Sequence, residues 1–375
     1  MMKTDKPVFV TQPFLPPLEE FQQYLKEIWD SKWLTNDGSY HKKLEAALCS
    51  YLGVKYVSLF ANGTLALIAA LRALHITGEV ITTPFSFVAT AHALWWNSIK
   101  PVFVDIEQGT AAMDPRKIEA AITPRTTAIL PVHVYGNPCN VSEIGEIAGR
   151  YGLKVIYDAC PAFGVNVGGQ SLLEFGDLSA LSFHATKVFT TFEGGAIVSH
   201  SEAMKRQIDN LKNFGYINEI SVITPGINAK MNEFQAGLGL LQLKYVDENI
   251  AERQALALQY RTALSRLQGV SFFPESNNTR YNYGTLPILV DETKFGNSRD
   301  WLYEKLKRHN IIARRYYYPL ISEFPTYSGL ESSKPGSMPV AEEISRQVLC
   351  VPIYPGLEPG TVQYICDLIG EKSSE

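Results

Sequence analysis

Short apolar runs rich in β-branched residues alternate with helix-like segments from residue 55 to residue 215, and this alternation limits the fold more than any other feature of the sequence. The predicted strands are YVSLF (56–60), EVITTP (79–84), PVFVDI (101–106), TAILPVHV (127–134) and LKVIYDA (153–159). The predicted helices contain TLALIAALRAL, AHALWWN, PRKIEAAI and VSEIGEIAGRYG. This order is typical of βαβ units, so we expect an α/β protein whose sheet is mostly parallel and covered by helices on both faces.

The pattern changes in the second half of the chain. ALSFHATK (180–187) and GGAIVS (194–199) are short strand candidates that lie close enough to pair, and a long helical pattern follows from Asn232 to Leu267. The remainder mixes strands such as YGTLPILV with helices such as SRDWLYEKLKRHN. Because 375 residues exceed one simple core, we predict a large domain over residues 1–250, with an N-terminal arm, and a smaller α+β domain over residues 251–375.

Charge and composition exclude several classes of protein. A net charge of −4 offers no basic excess for phosphate neutralisation, which argues against a nucleic-acid binder but not against a small anionic ligand. No apolar run reaches the ~20 residues of a membrane span, and the N-terminus lacks the pattern of a signal peptide. The five cysteines are scattered without a CxxC pair or a metal-binding cluster. We therefore expect a soluble cytoplasmic protein with reduced thiols and no metal.

Two polar features follow predicted strands, where open α/β sheets bind ligands. The turn Ala61-Asn62-Gly63-Thr64 starts a helix, whose free N–H groups favour a phosphate, although the same residues also form ordinary turns. Asp158 ends the strand LKVIY, where a buried carboxylate needs a partner. It could pair with a cationic ring nitrogen, or it could simply cap the next turn.

Two further features lie later in the chain. Lys187 follows the apolar strand and precedes a glycine pair, so its amine could react with a carbonyl if the side chain points into a cleft. Most lysines are solvated surface groups, and spacing alone does not distinguish this one. The stretch 226–233 carries a polar cluster with Asn228, and Asn232 is a suitable N-cap for the long helical pattern.

Together these stretches resemble the sugar aminotransferase family named after the DegT, DnrJ, EryC and StrS proteins, and the resemblance runs through nearly the whole chain. It implies the fold of type I aminotransferases that use pyridoxal 5′-phosphate (PLP). The matching stretches are WLTNDG (33–38), ANGTLAL (61–67), TTPFSFVAT (82–90), PVFVDI (101–106), AILPVHVYG (128–136), SFHATK (182–187), EGGAIV (193–198), NFG (213–215), GINAKMNEFQAGLG (226–239) and RRYYYPLISEFPTY (314–327).

The resemblance also implies roles for individual residues. Lys187 matches the lysine that forms a Schiff base with PLP and later moves a proton between the cofactor and the substrate carbon. Asp158 matches the aspartate that pairs with the pyridinium nitrogen, and Phe87 matches an aromatic residue that stacks on the ring. The positions that hold the cofactor phosphate are Gly63, Thr64 and Ser182.

Two positions carry further consequences. Asn228 matches an asparagine that reaches the phosphate of the neighbouring subunit's cofactor, so the resemblance implies a homodimer with shared active sites. Pro161 departs from the pattern, because the family places a histidine or glutamine there to bond the phenolic oxygen of PLP. Proline has no side-chain donor, which puts that contact in doubt.

The implied reaction transfers an amino group from L-glutamate, which leaves as 2-oxoglutarate, to a nucleotide-linked keto sugar. The opening TQPFLPPLEEF and the RRYYYPLISEF tail favour C4 of a dTDP-linked 4-keto-6-deoxy-D-glucose, whose product would enter surface polysaccharide such as O-antigen. The main alternative is C3 amination of a dTDP-3-keto-6-deoxyhexose. A sugar dehydratase of this fold would carry histidine in place of Lys187, and a non-catalytic regulator is disfavoured by the acidic charge.

Other conspicuous side chains receive no catalytic assignment. A buried, satisfied histidine is as common as a catalytic one at the positions of His133 and His184, and Trp95 and Trp96 read as packing residues on a helix. One of the three tyrosines at 316–318 is expected to meet the sugar nucleotide, but the motif does not say which.

Overall fold

The computed structural model describes residues 6–371 and contains the alternating strands and helices that the sequence predicts. The strands, in chain order, are β1 Val8–Phe9, β2 Tyr56–Phe60, β3 Glu79–Thr82, β4 Lys100–Phe103, β5 Thr126–Leu130, β6 Lys154–Asp158, β7 Asn166–Val167, β8 Gln170–Ser171, β9 Leu178–Ser182, β10 Gly195–Ser199, β11 Tyr216–Asn218, β12 Ser221–Val222, β13 Val270–Phe272, β14 Thr279–Arg280, β15 Leu286–Val290, β16 Ile311–Ile312 and β17 Val348–Val351. The α-helices are α1 Leu18–Ser31, α2 Ser39–Leu52, α3 Gly63–Ala73, α4 Ala89–Trp96, α5 Ile118–Ala121, α6 Val141–Tyr151, α7 Glu202–Leu211, α8 Glu233–Leu243, α9 Val246–Leu264, α10 Glu292–Phe295, α11 Arg299–Arg308, α12 Pro339–Gln347 and α13 Thr361–Gly370.

A seven-stranded sheet forms the centre of the molecule, in the order β2-β10-β9-β6-β5-β3-β4. The strands from β9 to β4 run parallel, and β10 is antiparallel to both of its neighbours. This confirms the predicted α/β class with a mostly parallel, mixed sheet. The parallel strands end at one edge, where the loops after them converge.

Helices cover both faces of this sheet because its strands are apolar on both sides. Along β10, Ala196 and Val198 pack in the core beneath α2, whereas Ile197 faces the opposite core beneath α3. The helix α3 is apolar along most of its length and packs against β9 and β10, with its first residues at the edge where the loops converge.

A second, three-stranded antiparallel sheet has the order β13-β15-β17 and packs with α9, α11 and α13 around a separate core. The N-terminal Val8 also joins this core, because β1 pairs with β16. The helix α9 contributes Ile250 to the core between the large sheet and α2, and Tyr260 to the core of the three-stranded sheet. The division at residue 250 therefore falls inside a helix, and the domain boundary stays a prediction.

Several predicted elements differ in extent from the observed ones, and three of them bear on the site. The helical stretch after Asn232 is two helices, α8 and α9, with Asn232 forming the predicted N-cap through a capping box with Gln235. In TAILPVHV the regular strand β5 ends at Leu130, just before Pro131, which has no N–H to donate to a ladder, and pairing beyond it is limited to an isolated parallel bridge between Val132 and Asp158. The strand in ALSFHATK ends at Ser182, so Lys187 lies in a loop. No helix among residues 6–371 is long and apolar enough to cross a membrane.

Candidate active site

A cavity of about 1280 Å³ opens at the edge of the sheet where the parallel strands end. Its volume exceeds the roughly 300–1,000 Å³ of a pocket for one small ligand, so it has room for a cofactor and a substrate. Six of the seven residues predicted from the sequence line it, namely Gly63, Thr64, Phe87, Asp158, Ser182 and Lys187. The fold therefore brings into one space residues that lie more than a hundred positions apart in the chain.

Asp158 ends β6 and its carboxylate is almost fully buried. Thr90 Oγ1 donates to its Oδ2 at 2.7 Å, and the backbone N–H of Cys160 donates to Oδ1 at 3.2 Å. Ser86 Oγ lies 2.8 Å from Thr90 Oγ1 and extends this network. No lysine or arginine among residues 6–371 pairs with the carboxylate, although burying a carboxylate without a cation is costly. The site thus fits a cationic ring N–H as the missing partner.

The start of α3 has the features of a phosphate site. Asn62 is its N-cap and accepts the N–H of Leu65 at 2.9 Å, whereas the N–H groups of Gly63 and Thr64 have no acceptor in the described part of the chain. A Cβ on Gly63 would come within 2.8 Å of the Cβ of Ser182, so only glycine leaves space there. Free N–H groups at a helix start beside a serine hydroxyl suit a phosphate dianion.

Lys187 lies in the loop between β9 and β10, where its backbone N–H bonds to the carbonyl of His184 at 2.9 Å. Its side chain is half-buried, lines the cavity and has no ion-pair partner within residues 6–371. Burial raises the pKa of the Cys160 thiol well above its usual range; the Asp158 charge adds to this rise, and the Lys187 charge opposes it. The charges of Lys187 and Asp158 thus both act on Cys160, and all three residues line the same cavity. A lysine and an aspartate that hold opposite ends of one small cofactor need to be this close.

Phe87 and Asn228 have different surroundings. The Phe87 ring is 62% exposed and lines the cavity, so its face is available to a planar ligand. Asn228 is exposed and does not line this chain's cavity, although its neighbours Gly226 and Ile227 do. Its Oδ1 accepts from Lys230 Nζ at 2.7 Å. Its predicted contact with a neighbouring subunit stays a prediction.

The structure also shows where the histidines and tryptophans without a catalytic assignment lie. His133 is fully buried behind the cavity, where its ring stacks on Tyr157 at 4.6 Å, and burial lowers its pKa to about 3. His184 lines the cavity. Trp95 stacks on Tyr327, but the packing role expected for Trp96 is wrong, because its side chain is 77% exposed at the cavity rim.

Sequence reasoning missed the hydroxyls of Ser86 and Thr90. Their four-residue spacing at the start of a predicted helix places them on one side of the chain, which was the available signal. It could not show that this side faces Asp158, because β3 and β6 are not neighbours in the sheet.

A mostly parallel sheet whose loops gather a lysine, a buried aspartate and a helix start suited to a phosphate fits PLP, and this combination is that of a PLP-dependent enzyme of fold type I. Comparison with known proteins makes the assignment more specific. Residues 18–370 match the DegT/DnrJ/EryC1/StrS aminotransferase family, and the chain belongs to that family.

Similar proteins cover the chain almost from end to end. The chain is 52% identical to dTDP-4-amino-4,6-dideoxy-D-glucose transaminase of Escherichia coli over 97% of its own length and 98% of the relative's. It is 53% identical to the enzyme of the same name from Shigella dysenteriae, over 98% and 99% of the two chains. Among solved structures, DesI, crystallised with its TDP-sugar product, superposes with a TM-score of 0.94 at 32% identity, over 98% of this chain and 93% of the DesI chain.

Proposed function

We propose that this chain transfers the amino group of L-glutamate to C4 of dTDP-4-dehydro-6-deoxy-D-glucose, giving dTDP-4-amino-4,6-dideoxy-D-glucose and 2-oxoglutarate. One observation carries the reaction type: Lys187 and Asp158 meet in a single cavity beside a phosphate-binding helix start. The choice of sugar is supported by the names of two relatives that share more than half of their residues with this chain over nearly its whole length.

The reaction needs a carbon next to the amino group to lose and regain a proton, and bound PLP supplies the electron sink that stabilises the resulting negative charge. Lys187 Nζ would hold the cofactor covalently, and as a free amine it would carry the proton between the substrate carbon and C4′ of the cofactor. The Asp158 carboxylate would pair with the ring N–H, and its hydrogen bond from Thr90 fixes its orientation.

The remaining residues hold and shield the ring. The N–H groups of Gly63 and Thr64 and the hydroxyl of Ser182, which line the cavity, would hold the phosphate, while Phe87 would pack on the ring face and shield it from water. Glutamate and the keto sugar would occupy the site in turn and use the same Lys187 amine for proton transfer, so the cavity needs to accommodate only one of them at a time beside the cofactor.

The active form in this proposal is a homodimer. Asn228 is exposed. The nearby hairpin, residues 214–223, also exposes several apolar side chains, among them Ile220, which is 90% exposed. A surface of this kind is typical of a protein interface. A partner seated there would let Asn228 reach the partner's cofactor phosphate.

Mixing two defective variants tests the shared site. Lys187→Ala lacks the lysine and Asn228→Ala lacks the phosphate contact, but a mixed dimer contains one site with both residues intact. We expect activity to return when the two proteins are unfolded and refolded together. A mixture no more active than the sum of its parts, or an active monomer in sedimentation, would contradict the shared site.

We place the enzyme in the cytoplasm, where its product would supply surface polysaccharide such as O-antigen. All five cysteines are free, which suits a reducing compartment. Cell fractionation with an antibody tests the location, and loss of the amino sugar from the polysaccharide of a deletion strain tests the role.

Regiochemistry is tested by incubating the holoenzyme with glutamate and either the 4-keto or the 3-keto dTDP sugar, then locating the nitrogen by NMR. The proposal predicts a 4-amino product from the 4-keto sugar and little turnover of the other. A 3-amino product alone would replace it with the C3 alternative. Inactivity with every keto sugar would favour a non-catalytic role.

A further inference from the structure

The order of the strands orients PLP in the cavity. The phosphate cradle is the start of α3, which follows β2, together with Ser182 at the end of β9. Asp158 ends β6, and Tyr135 follows β5 on the far side of Asp158. On the pyridine ring, the phosphate arm and the phenolic oxygen flank the aldehyde carbon on opposite sides. With the phosphate on the β2 side, the phenolic oxygen therefore faces the β5 side, and an oxygen in that buried wall requires a donor.

Most polar groups in that wall cannot donate a hydrogen bond to the phenolic oxygen. Pro161 presents only its carbonyl, which accepts from Asn282 Nδ2 at 2.9 Å. The Asn282 amide also donates to the carbonyl of Phe163 at 2.9 Å and its Oδ1 accepts from the N–H of Gly284 at 3.0 Å, so this side chain is fully used. The hydroxyl of Tyr135 donates to the backbone carbonyl of Tyr316.

The Cys160 thiol is a poor substitute in the same wall. Its Sγ lies 3.8 Å from the carbonyl of Ala180, and a thiol is a weak donor even when it is free. The neighbouring Asp158 charge also attracts its proton, since that charge contributes to the raised pKa of the thiol.

The Tyr317 hydroxyl is the strong donor that remains. Tyr317 lines the cavity, and its hydroxyl has no hydrogen-bond partner in the described part of the chain. Its ring is held edge-on against Phe85, with centroids 5.7 Å apart, and stacks on Tyr135 at 6.1 Å with only 7° between the planes. Burial raises its pKa, as do the nearby groups Cys350 and Asp158, so the hydroxyl keeps its proton.

We propose that the Tyr317 hydroxyl donates a hydrogen bond to the phenolic oxygen of PLP, in place of the side chain that position 161 lacks. This inference rests on the cofactor of the proposed function, but not on the identity of the sugar. Tyr316 also lines the cavity, but it is the Tyr317 ring that packs against both Phe85 and Tyr135, which lie in the loops after β3 and β5. Of the three tyrosines at 316–318, Tyr318 does not line the cavity, so Tyr316 is the one left to meet the sugar nucleotide.

The test is Tyr317→Phe in the holoenzyme, with Tyr316→Phe as the matched control. Loss of one hydrogen bond to a charged oxygen, about 1.5 kcal/mol, should weaken PLP binding by about tenfold. The pH midpoint of the bound cofactor's absorbance should also move upward. Without its donor, the phenolic oxygen holds more negative charge beside the Lys187 nitrogen and strengthens that nitrogen's hold on its proton.

A second variant keeps the test independent of any general damage. Pro161→His, added to Tyr317→Phe, supplies a side-chain donor at position 161 and should restore both cofactor affinity and the midpoint. Both measurements use PLP alone, so they remain informative even if the keto sugar proves wrong. The proposal is overturned if Tyr317→Phe leaves cofactor affinity and the midpoint unchanged, whether or not KM for the sugar nucleotide rises.

Discussion

The hydroxyl of Thr90 lies 2.7 Å from Oδ2 of Asp158, deep in the wall of the cavity. A hydroxyl has one proton, so once Thr90 donates to the carboxylate, the contact at 2.8 Å with Ser86 requires Ser86 to donate to Thr90. Two hydroxyls in series therefore fix the position of the carboxylate that we propose pairs with the cofactor ring.

Thr90→Val keeps the shape of this side chain and removes its hydrogen bond. A hydrogen bond to a charged group is worth about 1.5–3 kcal/mol, so we expect kcat/KM to fall by about tenfold to a hundredfold. Thr90→Ser keeps the hydroxyl and is the control, expected to retain most activity. Steady-state kinetics of both variants decide the point, and equal rates for Thr90→Val and the wild type would show that the hydroxyl does not support Asp158.

Gly63→Ala places a methyl group where the cavity has no room for it. The added Cβ would meet Ser182 Cβ at 2.8 Å, next to the two free N–H groups. We expect PLP affinity to fall by at least about tenfold, since the cradle must open by several tenths of an ångström. Titration of the apoenzyme with PLP measures this.

Gly145→Ala is the matched control, because Gly145 lies within α6 with nothing within 4 Å of the added Cβ. It should leave cofactor binding unchanged and raise the free energy of unfolding by about 0.5–1 kcal/mol, since alanine is the better helix former. If both variants lose PLP equally, the steric explanation for Gly63 is wrong.

His41 makes stability depend on pH. Burial is the main cause that lowers its pKa from 6.5 to about 4, and neither ring nitrogen has a hydrogen-bond partner within the described residues. In the unfolded chain His41 gains its proton near pH 6.5, whereas the folded protein resists protonation down to about pH 4. The free energy of unfolding should therefore fall by about 3 kcal/mol from this residue as the pH drops through that window.

His41→Leu removes the titrating group and keeps an apolar side chain in place. We expect urea unfolding of the variant to depend less on pH than that of the wild type between pH 6.5 and pH 4. The two proteins should differ most at the acidic end. Parallel pH dependences would show that His41 does not cause the acid sensitivity.

Local patterns predicted the fold well, because the pattern of apolar and polar residues that indicates a strand or a helix is contained within a few consecutive residues. Asp158 and Lys187 could be selected as candidates for the same reason, since each comes at or after the end of an apolar strand pattern. Neither stood out from ordinary residues on its own spacing. The cofactor was predicted from the ordered set of family stretches around them.

Contacts between distant parts of the chain could not be predicted. The buried carboxylate of Glu233 accepts the N–H groups of Tyr40 and His41 at 3.0 and 2.7 Å and so caps the start of α2. A Cβ on Gly38 would come within 2.3 Å of this carboxylate. Two of the family stretches, WLTNDG and GINAKMNEFQAGLG, thus meet in space, although nearly two hundred residues separate them. The sequence indicated that one of the tyrosines at 316–318 reaches the site, but only the tertiary structure shows that both Tyr316 and Tyr317 line the cavity.

The central claim is that Lys187 binds the cofactor. Borohydride fixes PLP irreversibly to the amine that holds it, and mass spectrometry of the digested protein then identifies the labelled lysine. We predict that the label lies on the peptide containing Lys187, and that Lys187→Ala takes up no label and has no transaminase turnover. A label on any other lysine, or full turnover by Lys187→Ala, would contradict the account.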